Sequence, residues 1–265
     1  MRLLVLLIGL SILAVMGRKN HPGLSALRGW SYAHRGLHRK GVPENSMAAF
    51  KAALDGGYGI ELDIHLTKDG DLAVIHDTSL KRTAGADVKI TELTSGELSA
   101  YRLEGTGETI PLFHQVLDLY QGKAPLIIEL KADGSNQEAL VDTAVSAMAG
   151  YKGPWCMESF DPRCVYLLKK KYPEVIRGQL AENYFAHNAN LSWTVKFLLT
   201  NSLLNFLTQP DFVAYNFDDR NSTPMNTVWK KLWKLQGVAW TIRTKEDYDT
   251  AVKEGWLPIF ENFIP

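Results

Sequence analysis

The sequence predicts an α/β protein of the (β/α)8 class, a TIM barrel, with a β-hairpin added after strand two and an apolar helix at the amino terminus. Eight short apolar or β-branched runs alternate with segments of helical spacing, a pattern typical of parallel strands joined by helices. The 237 residues after position 28 approach the roughly 250 of a typical barrel of this class. No linker rich in Pro, Gly or Ser divides them, so residues 29–265 are interpreted as one domain.

The segment before the barrel, residues 1–28, is predicted to be a membrane anchor or a signal segment. Residues 3–16 carry no charge, and as a helix they would reach about 21 Å, short of the roughly 30 Å hydrocarbon core. Arg18 and Lys19 follow this run instead of preceding it, and no Ala-x-Ala site is present. These features favour an uncleaved anchor and a cytoplasmic barrel; a cleaved signal with secretion, or a helix on the membrane surface, are the alternatives.

The strands of the barrel are predicted where the short apolar runs occur. A parallel strand buried on both faces shows such a continuous run. The eight runs are Ser31–Arg35, Gly59–Thr67, Pro125–Lys131, Trp155–Ser159, Val175–Leu180, Phe212–Tyr215, Val238–Arg243 and Leu257–Glu261.

Helical spacing is clearest in two of the connections. Met47, Phe50 and Leu54 recur at one helical face, with Asn45 expected as the N-cap and Gly56-Gly57 as the end. Pro111 is expected to begin a second helix, with Leu112, Val116 and Leu119 on one face.

A hairpin is predicted between residues 60 and 76, because Asp69-Gly70 is a strong two-residue turn signal. A two-residue loop places Lys68 opposite Asp71, and therefore Asp63 opposite His76. The returning strand would bring a histidine beside a carboxylate.

The stretch Leu191–Gln209 is more apolar than a surface barrel helix requires. It is interpreted as the fifth helix of the barrel, half-buried against the strands. The alternative is that its aromatic residues lean on a membrane or cover the mouth of the barrel.

Acidic residues end two of the predicted strands. Glu61 and Asp63 point to one face of their strand, and Glu129 and Lys131 repeat the pattern. In a parallel barrel these carboxyl ends share one mouth, where active sites are built. Carboxylates that converge there repel each other unless a cation binds, and oxygen ligands suit Mg²⁺ or Ca²⁺. Internal salt bridges are the alternative interpretation.

Two histidines also end strands at this mouth, His34 and His76. Histidine titrates near neutrality, so the pair can supply a general base and a general acid. Arg35 adds a planar cation suited to phosphoryl oxygens. Together with a metal ion, these side chains point to phosphate-ester chemistry.

The overall composition excludes some other classes of function. Twenty-nine basic residues balance twenty-nine acidic ones, so nucleic acid is not an expected partner. The two cysteines have no CxxC spacing.

Seven short motifs in order resemble the glycerophosphodiester phosphodiesterase family. Each is weak alone, but their order and gaps make the set specific. They are His34-Arg35-Gly36, Pro43-Glu44-Asn45-Ser46, Glu61-Leu62-Asp63, Lys68-Asp69-Gly70, Val74-Ile75-His76-Asp77, Leu80-Lys81-Arg82-Thr83 and Ile128-Glu129-Leu130-Lys131.

The resemblance implies a TIM barrel that hydrolyses glycerophosphodiesters to sn-glycerol 3-phosphate and an alcohol, through a cyclic phosphate. It implies a divalent cation as cofactor and a small-molecule substrate, and it indicates no protein partner. It also implies roles for particular residues: His34 and His76 as the acid–base pair, Glu61, Asp63 and Glu129 as metal ligands, and Arg35 and Lys131 as phosphate-contacting cations.

Further positions have two interpretations each. Glu44 is expected to bind substrate or to hydrogen-bond near it, and Asn45 either does the same or caps the helix. Trp240 either walls the glycerol site or packs in the core. Glu261 departs from the Asp usual in the family, and Glu158 is an added acid before the Ser-Phe pair. A lysophospholipase D-like activity is the alternative function, and a catalytically inactive binding barrel the third.

Overall fold

The computed structural model describes residues 2–187 and 189–265. Its strands are β1 (Tyr32–His34), β2 (Gly59–Leu66), β3 (Leu72–Val74), β4 (Leu126–Leu130), β5 (Trp155–Ser159), β6 (Arg177–Ala181), β7 (Phe212–Asn216), β8 (Gln236–Ile242) and β9 (Trp256–Phe260). Its α-helices are α1 (Arg2–Ala14), α2 (Met47–Asp55), α3 (Lys81–Ala84), α4 (Phe113–Tyr120), α5 (Gln137–Ala147), α6 (Pro162–Lys171), α7 (Trp193–Thr200), α8 (Asn205–Thr208), α9 (Pro224–Thr227) and α10 (Lys245–Lys253).

Eight of these strands form a closed parallel barrel. They follow in the order β1, β2, β4, β5, β6, β7, β8 and β9, and β1 pairs with both β2 and β9. β3 is antiparallel to β2 and lies outside the ring. The predicted (β/α)8 barrel is confirmed, and each predicted strand corresponds to one strand of the ring.

Apolar side chains fill the barrel interior at the amino-terminal ends of the strands. Tyr32, Ile127 and Phe212 point into the interior, and a 3₁₀ turn at Pro22–Leu27 covers the floor with Leu24 and Leu27. The opposite faces of the strands pack on the surrounding helices. Polar interior positions are thereby concentrated at the carboxyl ends of the strands.

The two helices anticipated from spacing are present, with corrected details. The N-cap of α2 is Ser46, whose Oγ accepts a hydrogen bond from Ala49 N, and not Asn45. Asn45 has φ 51° and uses its side chain elsewhere. α4 begins at Phe113 and not at Pro111. Val116 is buried as predicted, but the residues buried with it are Phe113 and Tyr120, in place of Leu112 and Leu119.

The hairpin is present, but its predicted register is wrong by one residue. β2 and β3 pair Ile64 with Val74 and Leu66 with Leu72. Thr67 N donates to Asp71 O over 2.9 Å beyond the last strand pair, so the turn proper has three residues, 68–70. It ends on Gly70 at φ 84°, a geometry that three-residue hairpins favour. Asp63 consequently lies opposite Ile75, whose N–H donates to the Asp63 carbonyl over 3.1 Å.

Residues 73–110 pack as a separate small cluster beside the barrel. Its buried members are Ala73, Ile75, Leu80, Ile90, Leu93, Leu98, Leu103 and Ile110. This cluster holds the loop after β3 against the barrel mouth, and His76 stands on that loop.

The apolar stretch at residues 191–209 forms two short helices, α7 and α8, and not the single helix predicted. Ser202, at φ 54°, lies in the break between them. Trp193 is 68 % exposed and stacks on Phe197 with ring centroids 5.4 Å apart.

The amino-terminal residues form α1 and then run under the barrel. Within residues 2–187 and 189–265, the helices all fall short of the length and apolarity needed to cross a membrane. Val15 is buried, and the Arg18 guanidinium binds Asp211. At residue 28, where the predicted domain boundary falls, the chain is packed against the barrel floor.

Candidate active site

Three buried carboxylates converge at the mouth of the barrel. Glu61 and Asp63 alternate inward along β2, and the β2–β4 register sets Glu129 beside Asp63. Ligand atoms of the three all lie within 4.8 Å of one another. The strand ends thus bring these three acids together, and their role as metal ligands stays a prediction.

Negative charge on these three carboxylates is unfavourable in the protein alone, because they are buried and close together. Burial, followed by the charges of Asp63 and Glu129, raises the pKa of Glu61 well above its usual value. Burial likewise raises the pKa of Glu129 to about 7, against the opposing charge of Lys131. For Asp63, burial is outweighed by Lys131, His76 and Arg35, so its pKa is lowered. A bound cation would relieve the repulsion.

The donor set of this cluster fits a hard divalent cation. Its oxygen atoms are carboxylate oxygens, the ligands that Mg²⁺ and Ca²⁺ prefer, whereas zinc sites favour nitrogen and sulfur. Glu61, Asp63 and Glu129 would hold such an ion. The cluster thus meets the chemical requirements of the predicted metal site.

His34 ends β1 and points into the same mouth. Its Nδ1 is 2.6 Å from Glu261 Oε2, which leaves Nε2 facing inward, 3.9 Å from Glu61 Oε2. Burial lowers the pKa of His34, and Glu261 partly opposes this. Arg243 binds the other Glu261 oxygen over 2.7 Å. Glu261, which replaces the Asp usual in the family, therefore still reaches the site, where it orients His34.

His76 is oriented in the same way as His34, by an acid that is itself bound by an arginine. Its Nδ1 is 2.6 Å from Asp77 Oδ1, and Arg82 Nε donates to the other Asp77 oxygen over 2.5 Å. Burial lowers the pKa of His76 to about 4. Sequence reasoning did not assign Asp77 or Arg82 to the site, although the acid directly follows the histidine.

The predicted cations lie among the acids. Arg35 Nη1 donates to Glu44 over 2.9 Å, and its Nε is 3.4 Å from Asp63. Lys131 Nζ lies 3.2 Å from Asp63 and 2.8 Å from Glu129. Contact of either cation with phosphate stays a prediction.

Glu44 joins the two sides of the mouth. It accepts hydrogen bonds from both Arg35 and Arg82, and these cations lower its pKa against the effect of burial. Asn45 Nδ2 donates to Asp63 over 2.8 Å. This hydrogen bond holds Asp63, the acid of the cluster whose pKa is lowered. Both residues therefore support the site from its rim.

A cavity of about 150 Å³ opens between these groups. Six of the nine predicted site residues line it, namely His34, Arg35, Glu61, His76, Glu129 and Trp240, while Asp63, Lys131 and Glu44 stand beside or behind them. Phe160 and Trp240 meet edge-to-face at 5.4 Å between centroids. With Leu180 and Ile259 they form an apolar half opposite the charged half.

The fold and this site together define a (β/α)8-barrel protein with an acidic cation site flanked by two oriented histidines. The sequence profile of the glycerophosphoryl diester phosphodiesterase family matches residues 34–264. The chain belongs to this family.

Curated relatives and a solved structure agree with this assignment. The chain is 42 % identical over 158 residues to a glycerophosphodiester phosphodiesterase of Caldanaerobacter subterraneus subsp. tengcongensis, covering 56 % of this chain and 65 % of the relative. It is 33 % identical over 133 residues to lysophospholipase D GDPD1 of Rattus norvegicus, covering 45 % and 41 %. The chain thus spans less than two thirds of the length of either of these two relatives.

The fold is similar to that of an Oleispira antarctica phosphodiesterase solved with its product sn-glycerol-3-phosphate. The TM-score is 0.73 at 22 % identity, over 90 % of this chain and 94 % of the other. At that identity the likeness concerns the fold.

Proposed function

We propose that this protein hydrolyses glycerophosphodiesters to sn-glycerol 3-phosphate and an alcohol, with Mg²⁺ or Ca²⁺ bound by Glu61, Asp63 and Glu129. The observation that carries the proposal is the pairing of that buried acidic cluster with His34 and His76 around one cavity. Membership of the family and the names of its curated relatives support it.

The residues divide the reaction between them. One histidine removes the proton from the glycerol 2-hydroxyl, which attacks phosphorus, and the other protonates the departing alkoxide. Water then opens the cyclic phosphate with the two proton transfers reversed. Arg35 and Lys131 stabilise charge on the non-bridging oxygens, and Lys131 also holds Asp63 and Glu129 in place. A bound divalent cation would supply Lewis-acid polarisation of the phosphoryl group.

The test is turnover of glycerophosphocholine by the purified full chain. We expect choline and sn-glycerol 3-phosphate, loss of turnover in EDTA, and recovery on adding Mg²⁺ or Ca²⁺. His34→Ala and His76→Ala should each lower kcat by about 10²- to 10⁴-fold without loss of structure. His114→Ala, on the exposed face of α4, is the control. Unchanged turnover in a site variant removes that histidine from the mechanism.

A lysophospholipase D-like activity is the second candidate. The similarity to the Rattus norvegicus relative and the exposed aromatic residues of α7 favour a lipid substrate. Comparing glycerophosphocholine with lysophosphatidylcholine separates the two activities. If neither substrate is hydrolysed at saturating metal, the third interpretation, a catalytically inactive binding barrel, is favoured.

We also propose that α1 attaches the barrel to a membrane surface, with the barrel on the cytoplasmic side. Val5, Leu6, Leu10 and Leu13 are each more than half exposed, as are Leu7 and Ile8, and exposed apolar side chains are favourable at a lipid interface. Lys19 follows the helix, as interfacial cations do.

Substitution tests this attachment better than truncation, because Leu24 and Leu27 complete the barrel floor and Val15 packs in the core around the barrel. Leu6→Glu with Leu10→Glu should abolish co-sedimentation with vesicles of phosphatidylcholine and phosphatidylglycerol. Val252→Glu, which alters a comparably exposed residue on α10, should not. Equal sedimentation of both variants contradicts the proposal.

A further inference from the structure

A second group of metal-ligating side chains meets behind His34, on the edge of its ring opposite the acidic cluster. It consists of His34, His38 and Glu261, whose ligand atoms all lie within 4.8 Å of one another. His34 Nδ1 is 2.6 Å from Glu261 Oε2, and His38 Nε2 is 3.6 Å from the same oxygen. Because the other nitrogen of His34 faces Glu61, the His34 imidazole lies between the two groups of ligands.

His38 has no part in the proposed reaction, and its inward nitrogen has no partner. The Nε2 atom is buried, and none of the residues that the structure describes forms a hydrogen bond with it. The 3.6 Å that separates it from Glu261 is too long for one. A buried polar atom without a partner costs free energy, and neutral imidazole nitrogen is a common metal ligand. A cation placed beside Glu261 would satisfy this atom.

The donor set of this second group differs from that of the acidic cluster. Two imidazole nitrogens and one carboxylate oxygen suit Zn²⁺, which takes three protein ligands and a water where its site is open, whereas Mg²⁺ and Ca²⁺ prefer oxygen alone. Ligand atoms of a tetrahedral zinc ion lie about 3.3 Å apart. His34 and Glu261 would therefore need to separate by less than about 1 Å.

The second group is reached from a cavity of its own. His38 and Glu261 line a cavity of about 320 Å³, while His34 lines the 150 Å³ cavity of the mouth. Arg39 and Lys40 also line the larger cavity, but both side chains are exposed and can extend into water. Arg243 binds the other Glu261 oxygen over 2.7 Å, so Oε2 remains the ligand atom. An ion entering from this side meets His38 and Glu261.

We propose that His34, His38 and Glu261 form an inhibitory zinc site. Zinc on His34 Nδ1 replaces the proton that this nitrogen shares with Glu261, and in the neutral ring that proton then lies on Nε2. Nε2 can then donate a proton but not accept one, and both steps of the reaction need His34 to do each in turn. The inhibition rests on the proposed phosphodiesterase activity, whereas the ion site does not.

Metal binding is tested first, with Co²⁺ as the spectroscopic substitute for zinc. Excess Mg²⁺ and Ca²⁺ occupy the oxygen sites, for which histidine nitrogen is a poor substitute. The purified full chain should take up one equivalent of Co²⁺, with the visible absorption of a tetrahedral ion, and Zn²⁺ should displace it. His38→Ala should weaken zinc binding by more than about 10-fold, the loss that even an outer-shell residue produces. His114→Ala, on the exposed face of α4, should bind as wild type does.

Two further variants locate the ion. His38→Gln keeps a polar side chain but removes the imidazole, and it should weaken zinc binding as His38→Ala does, which separates loss of a ligand from loss of structure. Glu129→Gln alters the acidic cluster and should leave zinc affinity unchanged. Absence of binding to wild type, wild-type affinity in both His38 variants, or an equal loss in Glu129→Gln overturns the site.

Inhibition is tested by hydrolysis of glycerophosphocholine at saturating Mg²⁺ or Ca²⁺. Zinc should inhibit wild type and His114→Ala at the same concentration, and His38→Ala should require more than about 10-fold more. Equal inhibition of wild type and His38→Ala refutes the inhibitory role. If wild type hydrolyses nothing, the phosphodiesterase proposal fails and the inhibitory role falls with it, while the Co²⁺ absorption still decides whether the ion site exists.

Discussion

At the scale of single residues, both histidines of the mouth are fixed in the same way. Glu261 holds His34 through Nδ1, and Asp77 holds His76 through Nδ1. An arginine binds the second oxygen of each acid. This arrangement leaves both Nε2 atoms available for proton transfer, and it explains why two exposed arginines belong to the site.

Glu261→Gln tests the role of this acid as a positioning residue. The amide keeps the size of the side chain but loses the charge that stabilises protonated His34. We expect kcat to fall by about 10²-fold while KM stays within a factor of about three. Steady-state kinetics with glycerophosphocholine measure both constants. Glu254→Gln, a half-exposed acid away from the cavity, is the control; a rise in KM with unchanged kcat would contradict this role.

Asp77→Asn tests the pH dependence of stability. The hydrogen bonds from Arg82 and His76 outweigh burial and lower the pKa of Asp77 to about 2, from an ordinary 3.8. A depressed carboxyl pKa stabilises the folded state above the unfolded value, and this contribution is lost as the pH falls through the folded value. The Tm difference between wild type and Asp77→Asn should therefore be constant from pH 5 to 7 and shrink between about pH 4 and pH 2. A pH-independent difference would show that the ionised carboxylate is not the cause.

At the scale of elements, the strands of the barrel fit together through paired large and small side chains. Gly178 on β6 faces Phe212 on β7, and a Cβ at Gly178 would lie 2.1 Å from the phenylalanine ring. The ring fills the interior that the glycine leaves open. The lower layer of the barrel is thus closed by apolar contact, which keeps the polar groups at the mouth.

Gly178→Ala should destabilise the protein through this contact. Overpacking of a filled core costs about 1–3 kcal/mol, and urea denaturation measures it. Gly96→Ala is the matched control, because a Cβ there meets nothing within 4 Å, and it should change stability by less than about 0.5 kcal/mol. Adding Phe212→Leu to Gly178→Ala should recover part of the loss; full additivity of the two substitutions would exclude the clash.

The hairpin shows how far an element can be predicted from local sequence. Asp69-Gly70 correctly indicated a turn between two strands, but the loop has three residues. The Thr67 Oγ1 and Asp71 backbone close it, through Asp71 N donating to Thr67 over 2.9 Å. Because a one-residue slip moves every partner along the ladder, Asp63 faces Ile75, and the small cluster beside the barrel positions His76.

At the scale of the whole molecule, the amino-terminal segment is tied to the barrel by a partly buried ion pair. Arg18 binds both carboxylate oxygens of Asp211 over 2.5 and 2.6 Å. The Arg18 N–H donates to Pro210 O over 2.9 Å. Gly17 allows this approach, since a Cβ there would lie 2.3 Å from the same oxygen. The segment therefore contributes to the stability of the domain.

Arg18→Met should lower the free energy of unfolding by about 2–4 kcal/mol, because it leaves the fully buried Asp211 side chain without its cation. Arg28→Met is the control, since the Arg28 side chain is exposed and its guanidinium makes, among the described residues, one hydrogen bond, to Gln236; its expected effect is below about 0.5 kcal/mol. Guanidinium denaturation compares the two. Equal stability of the variants would mean that the floor segment is held by its apolar contacts alone.

The sequence by itself determined the barrel, the order of its strands and the acids and histidines of the mouth. These follow from local regularities, because the two-residue period of a strand assigns side chains to a face and parallel strands end at one edge. Only the tertiary structure decided the partners of those residues. Glu261 reaches His34 across 227 positions of sequence, and Asn45 binds Asp63 while Ser46 caps the helix. Such pairings depend on how the ring closes, a distance in space that no local spacing encodes.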